Sequence, residues 1–474
     1  MRLTGNLLGA LFMPFIILLA PAQAQTTNLD ETLVESQEIT LENLPKIYSE
    51  AVALRNQGNF NHSEELLRQA IEAGERLFDG NDPNLAQLLN QLALTLEVQG
   101  KYQEAERTVL HALEIDRVSV GEANSNFALH LNTLAFVLEA QGRFEEAAQN
   151  YRQSLNILEV TVGVEHSVYA TILNNFAETL RGQGKYVEAE ELLRQAIEAQ
   201  KKSGSPDTRE YVFMQNNLGL ALQEQGRYRE AELVFRKLLE DAKNIIAATH
   251  PEYALVVNNL ALTLESQGDF AGAVDFYQSS SGIMRDAFGE THPRYAMALS
   301  NTGSALASLG RHEDAISTLV NALAILEQSV GEAHPQFALT LNSLAGAHLS
   351  ARQYSQAKTL FERSLMLTEA SVGVLHPRYS LVLNNLARVA LNQNRLDEAE
   401  ALYREAIEVS EQTLGSNHPD YAIHLGNLGQ VLSLQGKTDE ARGLLLKAMS
   451  IFEAALPPDH TYIQETRRRL RSLP

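Results

Sequence analysis

The sequence predicts an all-α solenoid: about ten helix–turn–helix units stacked in line and closed by a C-terminal capping helix. Three observations predict it. His-Pro recurs at His250-Pro251, His292-Pro293, His334-Pro335, His376-Pro377 and His418-Pro419, each 42 residues after the last. A glycine column keeps the same step through Gly58, Gly100, Gly142, Gly184, Gly226, Gly268, Gly310 and Gly436, with Arg352 and Asn394 standing in once each. An alanine column runs through Ala105, Ala147, Ala189, Ala231, Ala273, Ala315, Ala357, Ala399 and Ala441. Self-similarity at one fixed period marks a repeat architecture.

The elements follow in order. Arg2, the apolar stretch from Leu7 to Ala22 and the Ala22-Gln23-Ala24 site read as a secretory signal peptide over 1–24. The stretch is short for a membrane span, which needs about 20 apolar residues; a retained anchor is the alternative. Residues 25–40 are polar and acidic and read as a flexible lead-in. The repeats fill 41–457. In the unit from Tyr253 to Gly289, Val257, Leu260, Ala261 and Leu264 keep helical spacing. Gly268 then breaks the helix, and Ala273, Val274 and Tyr277 begin a second. Proline after histidine is pre-set for the first turn of the next helix. Residues 458–474 read as the capping helix, with Arg467, Arg468, Arg469 and Arg471 solvated at the end.

Charge is placed to suit these helices. Lys101, Arg143, Lys185, Arg227, Arg311, Arg395 and Lys437 sit at the inter-helix turn. Three residues on come Glu104, Glu146, Glu188, Glu230, Asp314, Glu398 and Glu440, in the first turn of the second helix. Each sign complements its helix end. The chain of 474 residues has a net charge of −21, which disfavours nucleic acid as a partner. It has no cysteine, which excludes disulfides, thiol nucleophiles and cysteine metal sites.

The Asn-Asn-Leu-Ala core at Asn258–Ala261, the Gln267-Gly268 turn and Phe270 after it resemble the tetratricopeptide repeat, in the 42-residue form of kinesin light chains and many bacterial proteins. The family's common tryptophan is absent, and leucines such as Leu299 and Leu341 fill its position. The resemblance implies a right-handed superhelix, because one helix pair cannot bury its apolar face alone and neighbours must do so.

Nothing in the chain reads as catalytic machinery. Seven histidines share one repeat position (His166, His250, His292, His334, His376, His418 and His460), but successive copies lie too far apart to meet at one metal ion. They read as helix caps. Ser355 and Lys358 match a Ser-x-x-Lys pattern without the elements that accompany it in penicillin-recognising enzymes. No enzyme activity, cofactor or metal is therefore expected.

Two asparagine columns are more informative. Asn174, Asn216 and Asn258 belong to the first, and Asn175, Asn217, Asn259, Asn301, Asn385 and Asn427 form the second. At 100° per residue the second points away from the Leu-Ala stripe. The resemblance implies that first-helix positions line a concave groove whose asparagines hold the backbone of an extended peptide. The alternative is a structural ladder between neighbouring helices. Phe213, Leu255 and Met297 lie close by and either line the groove as pockets or pack on a neighbour. Arg388 is the exception in groove positions otherwise almost free of positive charge, against a clamp for a C-terminal carboxylate.

The functional expectation is a non-enzymatic scaffold, exported to a periplasm or secreted. It binds an extended or amphipathic segment of another protein in its groove and has no membrane span once the signal is removed. Alternatives are a self-associating structural spacer, or an accessory subunit of an envelope enzyme or transport complex.

Overall fold

A computed structural model describes residues 39–40, 42–56, 59–78, 80–204 and 208–473. The segment expected to be a signal peptide, almost all of the expected lead-in, and Gly58 lie outside the described residues. The described residues hold twenty-one α-helices and no strand.

Two compact units account for them. Residues up to 180, with 192–204, form the N-terminal unit; residues 181–191, with 208–473, form the C-terminal unit. The N-terminal unit holds three complete helix pairs: α1 (Leu44–Asn56) with α2 (Phe60–Leu77), α3 (Pro83–Val98) with α4 (Tyr102–Ser119), and α5 (Ser125–Ala140) with α6 (Phe144–Thr161). The helices α7 (Ser167–Gly182) and α8 (Tyr186–Lys202) are divided between the units.

The C-terminal unit continues with α9 (Arg209–Glu224) and α10 (Tyr228–Ile245), α11 (Pro251–Gln267) and α12 (Phe270–Phe288), and α13 (Pro293–Ser308) and α14 (His312–Ser329). Then come α15 (Pro335–Ser350) and α16 (Tyr354–Val372), α17 (Pro377–Asn392) and α18 (Leu396–Leu414), α19 (Pro419–Leu434) and α20 (Thr438–Ala455), and a last helix, α21 (Thr461–Ser472). That last helix packs on α20 and α19.

Side-chain size sets how closely a pair packs. The alanine column is fully buried from Ala105 to Ala441. On the first helices, the position that is Ala261 in α11 is Gly219 in α9, and a methyl built on it would lie 2.4 Å from the ring of Phe235 on α10. Phe235 therefore fills the room that alanine takes in other pairs. Within each unit, first helices also touch the first helices of neighbouring pairs: α3 meets α5, α9 meets α11, α13 meets α15 and α15 meets α17. Second helices do not approach one another to that extent. Among the described residues, first helices of neighbouring pairs thus pack closer to one another than second helices do.

The histidines are helix caps. Nδ1 of His250, His292, His334, His376, His418 and His460 accepts the N–H two residues on at 3.1–3.2 Å. Asp82 and Asn124 do the same with a side-chain oxygen at 2.8 Å. A cap of this kind satisfies an N–H that has no partner inside the helix. At the inter-helix turn the backbone takes positive φ, and it does so even where glycine is replaced: Arg352 at 60° and Asn394 at 58°. The basic turn residues pair three residues on, Arg143 with Glu146, Arg227 with Glu230, Arg311 with Asp314 and Arg395 with Glu398.

The C-terminal unit also touches itself across a distance in sequence. Tyr186, at the start of α8, joins an apolar cluster with Tyr421, Ile423, Phe452 and Ile463. The turn at Gly184 lies against His418 and Pro419, and the turn at Gly226 lies against His460. A methyl on Gly226 would sit 2.1 Å from His460 Cδ2, so only a hydrogen fits there. Burial pushes the His460 imidazole down to about 4.

Candidate functional site

The first helices carry the asparagines as a ladder between pairs. Nδ2 of a second-column residue donates to Oδ1 of the first-column residue one pair earlier. The rungs are Asn175 to Asn132 (3.1 Å), Asn259 to Asn216 (2.7 Å), Asn301 to Asn258 (2.7 Å), Asn385 to Asn342 (3.1 Å) and Asn427 to Asn384 (2.9 Å). Asn216 also donates to Asn217 at 3.4 Å. Asn174 is half-buried at the same register. An amide has two donor hydrogens and an oxygen that accepts twice, so one rung leaves further hydrogen-bonding capacity on both partners.

The ladder ends on a different residue. Arg469 of α21 stands at the second-column position, and the first-column position before it is Gly426, which has no side chain. The longer guanidinium reaches past, donating to the Gly426 carbonyl at 2.8 Å and to Glu465 at 3.0 Å. Arg469 is thus a packed rung rather than a solvated end, whereas Arg467, Arg468 and Arg471 are exposed. The sequence reading treated the four arginines alike because it did not extend the asparagine register into the last helix.

Phe213, Leu255 and Met297 are half-buried on the same helices. Leu255 packs partly on Ala254, Met284 and Ala298. Arg388 contacts Asn385 Oδ1 at 3.4 Å, and burial lowers its guanidinium from the ordinary value.

Sequence reasoning missed a group of acids on this face. Glu97 of α3 and Glu139 of α5 share one repeat position, and Glu178 of α7 lies nearby. All three are half-buried. The Thr179 hydroxyl donates to Glu139 at 2.7 Å. Burial pushes Glu97 and Glu139 up to about 7; for Glu139 the charges of Glu178 and Glu97 push the same way. The same position in α11 holds Glu265, which is buried and accepts from Tyr277 (3.2 Å) and Ser308 (3.1 Å). The signal was present as a glutamate at a step of 42 where other pairs carry Ala307, Leu349 and Leu391. The buried approach of His130 Nδ1 to Asp116 Oδ2, 2.8 Å apart, was also missed.

A family model described as tetratricopeptide repeat matches residues 46–117, 126–202, 210–286, 257–328, 294–370 and 378–454, and a second model of the same description matches 342–413. The chain belongs to the tetratricopeptide repeat family. Among solved structures it is similar to the apo form of the quorum sensor NprR from B. thuringiensis (14% identity, TM-score 0.52, covering 78% of this chain and 99% of that one). It is similar as well to a Rap protein complexed with Competence and Sporulation Factor (14%, TM-score 0.51, 78% and 98%). A putative kinesin light chain from Podospora anserina with nearly identical TPR-like repeats matches at 22% identity and TM-score 0.36 over 43% of this chain and 97% of that one. No curated protein matches the sequence. Among the described residues no helix is long and apolar enough to cross a membrane.

Proposed function

We propose that the chain is a non-enzymatic scaffold that binds an extended or amphipathic segment of another protein along its concave face. The observation that carries this is the amide ladder. It aligns asparagines of successive first helices in one orientation, beside half-buried Phe213, Leu255 and Met297. An extended backbone offers alternating donors and acceptors that such amides match, and the apolar residues suit its side chains. Membership of the family supports it, since these repeats generally act by binding rather than catalysis. The Rap protein carries a bound factor on a similar fold. We further propose that the chain acts after export, on the strength of its apolar N-terminus.

A photo-crosslinking amino acid at Met297 tests this in an envelope extract. The expected result is a crosslink to a different polypeptide, lost when Asn217, Asn259 and Asn301 are changed together to alanine while helicity is retained. Crosslinks only to a second copy of this chain would make it a self-assembling spacer instead. A crosslink undiminished in the alanine variant would remove the asparagines from the binding face.

A further inference from the structure

We infer that Arg388 of α17 and the open space beside Gly346 of α15 form a seat for an acidic side chain, an aspartate or glutamate within the partner's segment. This rests on the scaffold reading and adds the chemistry of what is recognised. Both residues belong to the C-terminal unit and lie one helical turn beyond the same rung of the ladder. Asn385 donates to Asn342 at 3.1 Å. Arg388 follows Asn385 by three residues and Gly346 follows Asn342 by four, the spacings that share a helix face. Arg388 is half-buried, and its guanidinium reaches the Asn385 oxygen at 3.4 Å. Among the described residues it has no carboxylate partner. Arg181 and Arg209 of the same unit do, in Glu224 at 2.7 Å and Glu252 at 3.7 Å. The first helices α13, α15, α17 and α19 hold a single acid, Asp420, at the start of α19. The Arg388 register falls at Gln430, about 15 Å further along that helix.

Two further observations point to a ligand. Asn384, one turn before Arg388 on the same face, is 1% exposed. Its oxygen accepts from Asn427 at 2.9 Å, but its Nδ2 has no hydrogen-bond partner. A buried donor without an acceptor is costly, and native structures seldom keep one without a use. Gly346 is the other. Glycine inside a helix lowers its stability relative to alanine, so it needs a reason. For Gly219, Gly303 and Gly429, on other first helices of the unit, the reason is steric: a methyl would lie 2.4, 2.5 and 2.9 Å from Phe235, Leu319 and Leu445. A methyl on Gly346 would meet no atom within 4 Å. The packing does not demand glycine there, and its missing side chain leaves room beside a guanidinium. Arginine presents five N–H donors in a planar fork, and Asn384 adds an amide next to it. A carboxylate has two oxygens that accept from such a fork, and it supplies the counter-charge that Arg388 lacks.

An array of random dodecapeptides with amidated C-termini tests the seat. It is probed with the full chain, with Arg388→Gln and with Gly346→Leu, each checked for helicity and melting midpoint. Both variants should fold, since one removes an unmatched charge and the other fills open space; either alone suffices to decide. The full chain is expected to select peptides with aspartate or glutamate at one fixed position, about ten-fold over asparagine or glutamine there, the scale of a charged hydrogen bond. A net charge of −21 favours basic peptides, so the general field of the chain cannot produce that preference. Each variant should still bind peptides but without the preference. Peptides selected with no acidic preference, or with one unchanged in either variant, would overturn the seat while leaving the scaffold. The same array with free C-termini separates the other source of a carboxylate: an acidic requirement met only by the chain end would overturn the inference. Failure of the full chain to select any peptide would remove the scaffold reading and the seat with it.

Discussion

Glu139 ties stability to pH in a way that one substitution exposes. Its carboxyl ionises near 4.5 when unfolded but at about 7 in the folded chain, because of burial and two neighbouring acids. Below 4.5 both states are protonated and nothing is lost. From 4.5 to 7 the unfolded chain releases the proton and the folded chain keeps it, so stability falls as pH rises; above 7 the loss is complete. Glu139→Gln has no such titration. The variant should match the wild type at pH 4 and melt roughly 6–12 °C higher at pH 8: the shift from 4.5 to about 7 is worth about 3 kcal/mol, and each kcal/mol moves the midpoint about 2–4 °C in a domain of this size. Thermal melts at pH 4, 6 and 8 check this, and a constant difference across them would contradict it.

At the level of the helices, the asparagine ladder shows what a sequence can and cannot reveal. Both columns were legible, and 100° per residue placed the second away from the Leu-Ala stripe. Whether they faced a partner or each other was left open. That depends on the rise between neighbouring pairs, which a one-dimensional register does not contain. The observed rungs join residues 43 apart, one more than the repeat, so the second amide of one pair meets the first of the pair before. The acids are harder to read: Glu97 and Glu139 keep the step of 42, but a glutamate on a helix face reads as solvated unless its neighbours across the stack are known. Arg469 completes the ladder at α21, and Arg469→Ala should loosen that helix alone. Hydrogen exchange over 461–472 should accelerate about ten-fold or more, for the loss of about 1.5–3 kcal/mol in a charged hydrogen bond. Exchange in α9–α16 should be unchanged. Uniform acceleration through the unit would show instead that the cap holds the whole stack.

At the level of the whole chain, the period of 42 conveyed the helix pairs, their turns and their caps, because each depends on residues close in sequence. It conveyed nothing of the contact between Tyr186 and the last helices, which depends on how much each pair rotates against the next. Gly226→Ala probes this contact, because the added methyl meets His460. Gly436→Ala is the control: it has the same sign of φ, at 79°, but open space around it. Both pay about 1–2 kcal/mol for the left-handed backbone. Only Gly226→Ala should pay about 1–3 kcal/mol more for crowding and broaden the unfolding transition of the C-terminal unit. Equal melting curves would mean that the contact carries no stability.

An ordinary stack of repeats behaves like a row of dominoes: each piece is held by its immediate neighbours, and loss begins at whichever end is weakest. In the C-terminal unit the piece that should be last leans on one of the first. Loosening from that edge must break a long-range contact before any helix pair is released. The unit is therefore braced against gradual stretching.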